Sequence, residues 1–367
     1  MSDWRSELRD FARDLGAGAR RVARAVDRGV DRDPYHVVGY GAYATRWRAL
    51  ILGRVLQDDG INKVDPSDGS LENLLNMIRR LESDPMPHAK LHVHLGGSTH
   101  ELITDDEGFV HEWIKLPEPL DENQSHDVRF ELIGAAAERP VHGAANVLVP
   151  STVAKFGIIS DMDDTVLQSD VTMLLRAARL MLLENSRTRL PFPGVAAFYH
   201  ALRDGQASGP KNPIFYVSSS PWNLHDVIVD FLDAHRIPAG PLLLRDWDLT
   251  SALSGHSDHK SRHIRDILDA YPWMKFILVG DSGQEDPEIY SSIVAEYPNR
   301  ILAVYIRDVS KTERRSAAIA VLAEQLRLAA SELVLGQDTV ALAQHAASKG
   351  WIDPSRLADI RVACAPR

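Results

Sequence analysis

Gly157-Ile-Ile-Ser-Asp-Met-Asp-Asp-Thr-Val166 closes a short apolar run, Phe156 to Ile159, with two carboxylates two residues apart, Asp161 and Asp163. A run that short, apolar and β-branched suits a strand buried on both faces of a parallel sheet. Asp161 falls where that strand runs out, and in open α/β sheets ligands bind outside the carboxyl ends of the strands. Taken alone, the stretch could also be a strand followed by an acidic, solvated turn.

Three later segments repeat the arrangement. Ile214-Phe-Tyr-Val217 reads as a second buried strand, ending in Ser218-Ser219-Ser220-Pro221. A proline suits the first turn of a helix, and hydroxyls with free N–H groups at a helix start bind phosphate. A capping box or a serine-rich loop accounts for the same residues. Leu224, Val227, Ile228, Phe231 and Leu232 follow at helical spacing. Lys260 precedes Ile264, Ile267 and Leu268 on one helical face, and a lysine near a helix N-terminus is mildly unfavourable unless something negative lies close. Phe276-Ile-Leu-Val-Gly-Asp-Ser-Gly-Gln-Glu-Asp-Pro287 then delivers Asp281 and Asp286 from a further buried strand.

The order acid, serine, lysine, acid, each at a strand end or helix start, resembles the motif set of the haloacid dehalogenase superfamily, whose members mostly transfer phosphoryl groups through an aspartyl phosphate. The resemblance is closer to one family within it. Tyr216-Val-Ser-Ser-Ser-Pro-Trp-Asn-Leu224, Pro241-Leu-Leu-Leu-Arg-Asp246, His259-Lys260, Gly280 to Tyr290 and Tyr305-Ile-Arg307 are similar to the catalytic domain of the actin-patch-protein type of phosphatidate phosphatase, closely over about residues 151 to 310. The resemblance implies Asp161 as nucleophile, Asp163 as general acid and base, Ser218 and Lys260 on the phosphoryl group, and Asp281 on the metal. Thr165, Ser219 and Arg307 join Ser218 as candidate substrate-binding residues. The implied cofactor is Mg2+, a hard cation held by carboxylates, waters and substrate phosphate. Asp161 and Asp281 would supply carboxylates, Asp163 a backbone carbonyl, and Asp286 a hold on a metal-bound water.

Composition is that of a globular enzyme: 367 residues allow two domains, and 44% hydrophobic with 25% charged residues argues against wholesale disorder. No stretch approaches the roughly 18 apolar residues of a membrane span, and the N-terminus lacks the apolar core of a secretion signal. The expected location is therefore the cytoplasm, with peripheral attachment to a membrane surface as an option. The single cysteine, Cys364, excludes an internal disulfide and a cysteine metal cluster. A formal charge of -10 disfavours nucleic acid as a partner.

Residues 1–32 differ from the rest, with eight arginines against six acids. Trp4, Leu8, Phe11, Leu15, Ala19, Val22 and Val26 fall at helical spacing, giving an amphipathic arm suited to an anionic membrane surface, to its own domain or to a dimer seam. Thr45 to Leu56, Lys90 to Leu95 and Val128 to Ile133 read as strands, Asp105 to Gly108 as a hairpin turn, and Leu71 to Leu81 as a helical insert. His92 and His94 share a strand face, either as metal ligands or as its solvent side. After Arg307 the chain reads as helical, with Ala317 to Leu328 and Thr339 to Lys349 as helices and Gly350 as a stop. The Leu/Met-rich run Met173 to Leu183 is an apolar flap or a core helix.

The expected fold class is thus α/β: a haloacid-dehalogenase-like Rossmannoid parallel sheet without a large cap, preceded by a small β-rich, sandwich-like domain and an N-terminal amphipathic helix. The expected domains are 1–32, 33–150 and 151–367. The expected function is magnesium-dependent phosphomonoester hydrolysis, with phosphatidate as first-choice substrate. The alternatives are a soluble sugar or nucleotide phosphate as substrate, and a catalytically silent lipid-binding adaptor.

Overall fold

The computed structural model describes residues 35–57, 85–134, 140–162, 192–206, 209–245, 256–309, 312–328 and 331–365. Eight strands come first: β1 (Tyr35–Tyr40), β2 (Ala42–Tyr43), β3 (Arg48–Gln57), β4 (Lys90–Leu95), β5 (Ser98–Ile103), β6 (Phe109–Lys115), β7 (Gln124–Ile133) and β8 (His142–Val149). They form an antiparallel sheet of order β1-β3-β6 and a mixed sheet of order β2-β8-β7-β4-β5, in which β2 runs parallel to β8. β4 alternates as a half-buried strand should, with Leu91, Val93 and Leu95 inward. Phe130 of β7 draws the two sheets together. A side-chain carbon added at Gly39 of β1 would stand 2.7 Å from its ring, and one at Gly53 of β3 would stand 3.1 Å from it. The bare backbone at both points lets the ring lie between the sheets, which curl into a half-barrel.

The remaining chain alternates strand and helix: β9 (Gly157–Asp161), α1 (Val195–Asp204), β10 (Ile214–Pro221), a 3-10 turn (Trp222–Leu224), α2 (His225–Ala234), β11 (Leu242–Arg245), α3 (His256–Ala270), β12 (Phe276–Asp281), α4 (Asp286–Glu296), β13 (Ile301–Arg307), α5 (Glu313–Leu328), β14 (Glu332–Gly336), α6 (Thr339–Ser348) and α7 (Arg356–Cys364). The strands build one parallel sheet of order β11-β10-β9-β12-β13-β14. β9 and β12 are buried along their whole length, the burial that continuous apolar runs require. The chain leaves β9 toward β10 on one side and returns to its other side as β12. That reversal opens a crevice at the carboxyl ends of β9, β10 and β12.

An aromatic seam joins the halves. Tyr43 packs against Phe215 and Tyr271 with ring centroids 5.6 and 5.9 Å away, and the Tyr271 hydroxyl donates to the Ala44 carbonyl at 3.0 Å. At the other end of β10, Tyr40 lies 4.5 Å from the Trp222 ring.

The architecture corrects the expected fold class. A haloacid-dehalogenase-like sheet behind a small sandwich and an N-terminal helix is not what the described residues form as a whole. They form mixed sheets curled into a half-barrel, fused by buried aromatics to a parallel sheet of six strands. The antiparallel sandwich fails because β2 pairs in parallel with β8, and the parallel sheet is extended by β14, in a region expected to be wholly helical. The helix after Ser218 also begins later than Pro221, since β10 runs through Pro221 and α2 starts at His225. The expected amphipathic arm, the insert at Leu71 to Leu81 and the run Met173 to Leu183 lie outside the described residues.

Candidate functional site

Asp161 is the last residue of β9, paired in register with Val217 of β10, so Ser218 follows directly beside it. Asp281 is the last residue of β12 on the other side of β9. Asp286 opens α4 five residues later, ahead of Pro287, where a carboxylate complements the positive end of the helix. Lys260 reaches in from the second turn of α3. All five side chains are buried.

The lysine binds the site together. Its Nζ lies 2.7 Å from Asp161 Oδ1 and 2.5 Å from Asp286 Oδ1. Asp286 Oδ2 in turn accepts the N–H of Asp281 at 3.1 Å, and Asp281 Oδ1 accepts the N–H groups of Gly283 and Gln284 at 2.6 and 3.2 Å. Gly280 is the residue that lets Asp286 come so close. A side-chain carbon there would meet Asp286 Oδ2 and stand 2.8 Å from both Asp286 Cβ and Tyr290 Cε2. Tyr290 and Tyr199 back the cluster from the core, donating to Val279 O and meeting Ser160 Oγ at 3.0 and 2.7 Å. Burial, reinforced by nearby Asp286, pushes the Tyr290 hydroxyl well above its ordinary value, so it stays neutral.

Asp161, Asp281 and Asp286 each present an oxygen within 4.8 Å of the others, the grouping suited to a metal ion among the described residues. The donor set fits magnesium. It is all oxygen, and its three carboxylates face one buried ammonium, leaving a formal -2 within the described cluster for a divalent cation to offset.

Of the other sequence-derived candidates, Asp163 and Thr165 lie outside the described residues. Ser218 and Ser219 lie in the second half of β10, just past the Val217–Asp161 pair, with Ser218 Oγ accepting the Ser220 N–H at 3.0 Å. Arg307 ends β13 next to Asp281 in register, but its guanidinium is not drawn into the carboxylate cluster: it lies 3.9 Å over the Phe192 ring and donates to Thr339 Oγ1 at 2.9 Å. Asp286, the expected holder of a metal-bound water, also touches Lys260 directly. His94 meets Thr99, its partner on β5, at 2.9 Å and Glu131, diagonal to it on β7, at 3.6 Å.

Arg315 was not foreseen. From α5 it donates to the carbonyls of Ser282 and Gln284 at 2.9 and 2.5 Å and forms an ion pair with Glu288, clamping the turn between Asp281 and Asp286. Its hydrogen bonds to Glu288 push the guanidinium above its ordinary value. No spacing signal points to it, because two of its partners are backbone carbonyls.

Residues 156–308 match the family model described as phosphatidate phosphatase APP1, catalytic domain. The chain is 30% identical over 189 residues to phosphatidate phosphatase APP1 of Saccharomyces cerevisiae, a match covering 49% of this chain and 31% of that one. An uncharacterized protein of Schizosaccharomyces pombe is 26% identical over 212 residues, covering 57% of this chain and 34% of that one. The chain thus spans about a third of the length of either relative. Solved structures are only distantly similar. A carbohydrate acetylesterase from Xanthomonas citri gives a TM-score of 0.28 at 11% identity over 80% of this chain and 66% of that one. The PilB minor pilin from Streptococcus sanguinis gives 0.26 at 10% identity over 98% and 100%. Neither identifies a fold class. Over residues 156–308, the chain is similar to the catalytic domain of phosphatidate phosphatase APP1.

Proposed function

We propose that the protein is a magnesium-dependent phosphatase that removes the phosphate of phosphatidate, yielding diacylglycerol, through an aspartyl phosphate on Asp161. The observation that carries this reading is the buried Lys260 held between Asp161 and Asp286 at the carboxyl edge of the parallel sheet, inside the segment matched to the APP1 catalytic family. In the first step an Asp161 oxygen attacks phosphorus in line, the ester bond to the glycerol oxygen breaks, and Asp163 gives that oxygen its proton. In the second, water attacks the aspartyl phosphate while Asp163 takes the water's proton, releasing inorganic phosphate and restoring Asp161. Lys260 sits where charge gathers on the equatorial phosphoryl oxygens, and the Ser218 turn offers hydroxyls to the same group. Asp161, Asp281 and Asp286 would hold Mg2+, which supplies further positive charge for those oxygens.

A lipid substrate requires access to a bilayer surface, and no helix among the described residues is long and apolar enough to cross one. Phosphate release measured on phosphatidate, lysophosphatidate and a panel of soluble phosphomonoesters, with and without Mg2+, tests the reading. Magnesium-dependent release favouring phosphatidate supports it. Preference for a soluble ester would replace the substrate, and no release from any ester would reject the activity.

A further inference from the structure

A second cleft lies at the opposite edge of the parallel sheet. It measures about 620 Å3 and runs between the β2–β3 turn, the end of β6 and the α3–β12 connection. That volume falls within the range of small-molecule sites, which favour the junctions between structural units. Because β9 is five residues long, the cleft stands about 17 Å from the carboxylates at the strand's other end.

Its lining is unusual for a chain of net charge -10. Trp47 and Trp273 flank it, 57% and 49% exposed, and Trp113, 37% exposed, lies beside it under the Arg48 guanidinium at 4.7 Å. These are the three tryptophans found among the exposed large hydrophobic residues of the described chain. Single exposed apolar residues are ordinary, but a convergent group marks a binding surface. Arg46, Arg48 and Lys115 supply three cations to the same cleft, against one lining carboxylate, Asp269, which accepts the Tyr297 hydroxyl at 3.0 Å. Arg46 has a loose partner in Glu122 at 3.8 Å.

The walls are fixed in advance. Tyr271 bonds to Ala44 across the seam, and the Thr152 N–H and hydroxyl both donate to Glu122 at 2.8 Å. A preformed site loses little to ordering when it binds.

From this aromatic floor and cationic rim, we infer that the cleft is a second binding site, for single anionic amphiphiles: a carboxylate or phosphate head on Arg46, Arg48 and Lys115, with an apolar body between Trp47 and Trp273. A flat bilayer is the poorer occupant, because docking this edge would turn the carboxylate cluster away from the membrane.

Calorimetric titration of the full chain with dodecanoate, below its micelle-forming concentration, tests this, with dodecyltrimethylammonium and a neutral dodecyl glycoside as controls. Saturable binding of dodecanoate at least about tenfold tighter than either control is expected, unchanged by vanadate at the catalytic site. Arg48→Ala and Trp273→Ala should each weaken it by about tenfold, with phosphatase turnover unaltered. Lys115→Gln, at an exposed position, gives the same readout should either of those fail to fold. Equal affinity for all three chains, no saturable binding, or variants as tight as the parent would overturn the assignment. So would capture of the parent, but not the variants, by anionic vesicles alone, or a dimer that the variants dissolve.

Discussion

Lys260→Met tests the logic of the buried cluster. The substitution keeps the volume of the side chain but removes an ammonium only 2% exposed from between the buried carboxylates of Asp161 and Asp286. Removing one partner of a buried ion pair costs about 3–5 kcal/mol, because the remaining charge is left uncompensated. Here one ammonium serves two carboxylates, so the cost should fall at the upper end of that range. Adding Asp286→Asn to the variant removes one stranded charge and should return part of the loss, an interaction of roughly 0.5–3 kcal/mol in a double-mutant cycle. Urea unfolding of the parent, both single variants and the double variant, all with a chelator present, measures each term. The variant should also lose about 100- to 1,000-fold in turnover, as expected when a preorganised positive group is withdrawn. A Lys260→Met protein as stable as the parent, or a double variant whose two costs simply add, would refute the reasoning.

Other expectations follow from neighbouring contacts. Gly280→Ala should cost about 1–3 kcal/mol and depress turnover, since the added methyl crowds Asp286 and Tyr290; parental stability and activity would show that the loop gives way freely. Arg315→Met should raise the magnesium concentration needed for half-maximal activity more than it raises KM, with Arg315→Lys restoring part of the difference; an unchanged magnesium titration would reduce Arg315 to a surface contact. His259 and His263 pack 4.2 Å apart on α3, and burial lowers both, His259 to about 4. The unfolded chain therefore takes up protons near pH 6.5 that the folded chain refuses. Stability is full well above that pH and should fall by about 1.4 kcal/mol per pH unit on account of His259 as pH drops toward 4. His259→Gln should flatten that slope in pH-dependent urea unfolding.

What the sequence makes legible is set by burial. β9 and β12 lie inside the sheet on both faces, so their apolar runs are continuous and the acids that end them stand out. The places of Asp161 and Asp281 at strand ends were readable for that reason. β14 was not, because Glu332-Leu-Val-Leu-Gly336 is a half-exposed edge strand set between two helices, and its short apolar run carries no period of its own. The pairing of the β-rich half was equally hidden. Alternation along β4 tells which side is buried but not which strand lies alongside, and the curl depends on Phe130 meeting two glycines far away in sequence. Arg307 shows the same limit at the scale of one side chain: its place at the end of β13 was legible, while its packing over Phe192 was not. The direct Lys260–Asp286 contact depends on Gly280 having no side chain, a steric fact that spacing does not express.

The claim on which the account turns is that Asp161 carries the phosphoryl group during turnover. Rapid acid quench of the Mg2+-loaded enzyme with phosphatidate labelled in its phosphate, followed by peptide mapping, tests it most directly. Transient label is expected on the peptide containing Asp161 and is expected to be absent from Asp161→Asn, which should also release no phosphate while keeping its fold. Phosphate release at near-parental rate by Asp161→Asn, or label confined to another residue, would contradict it.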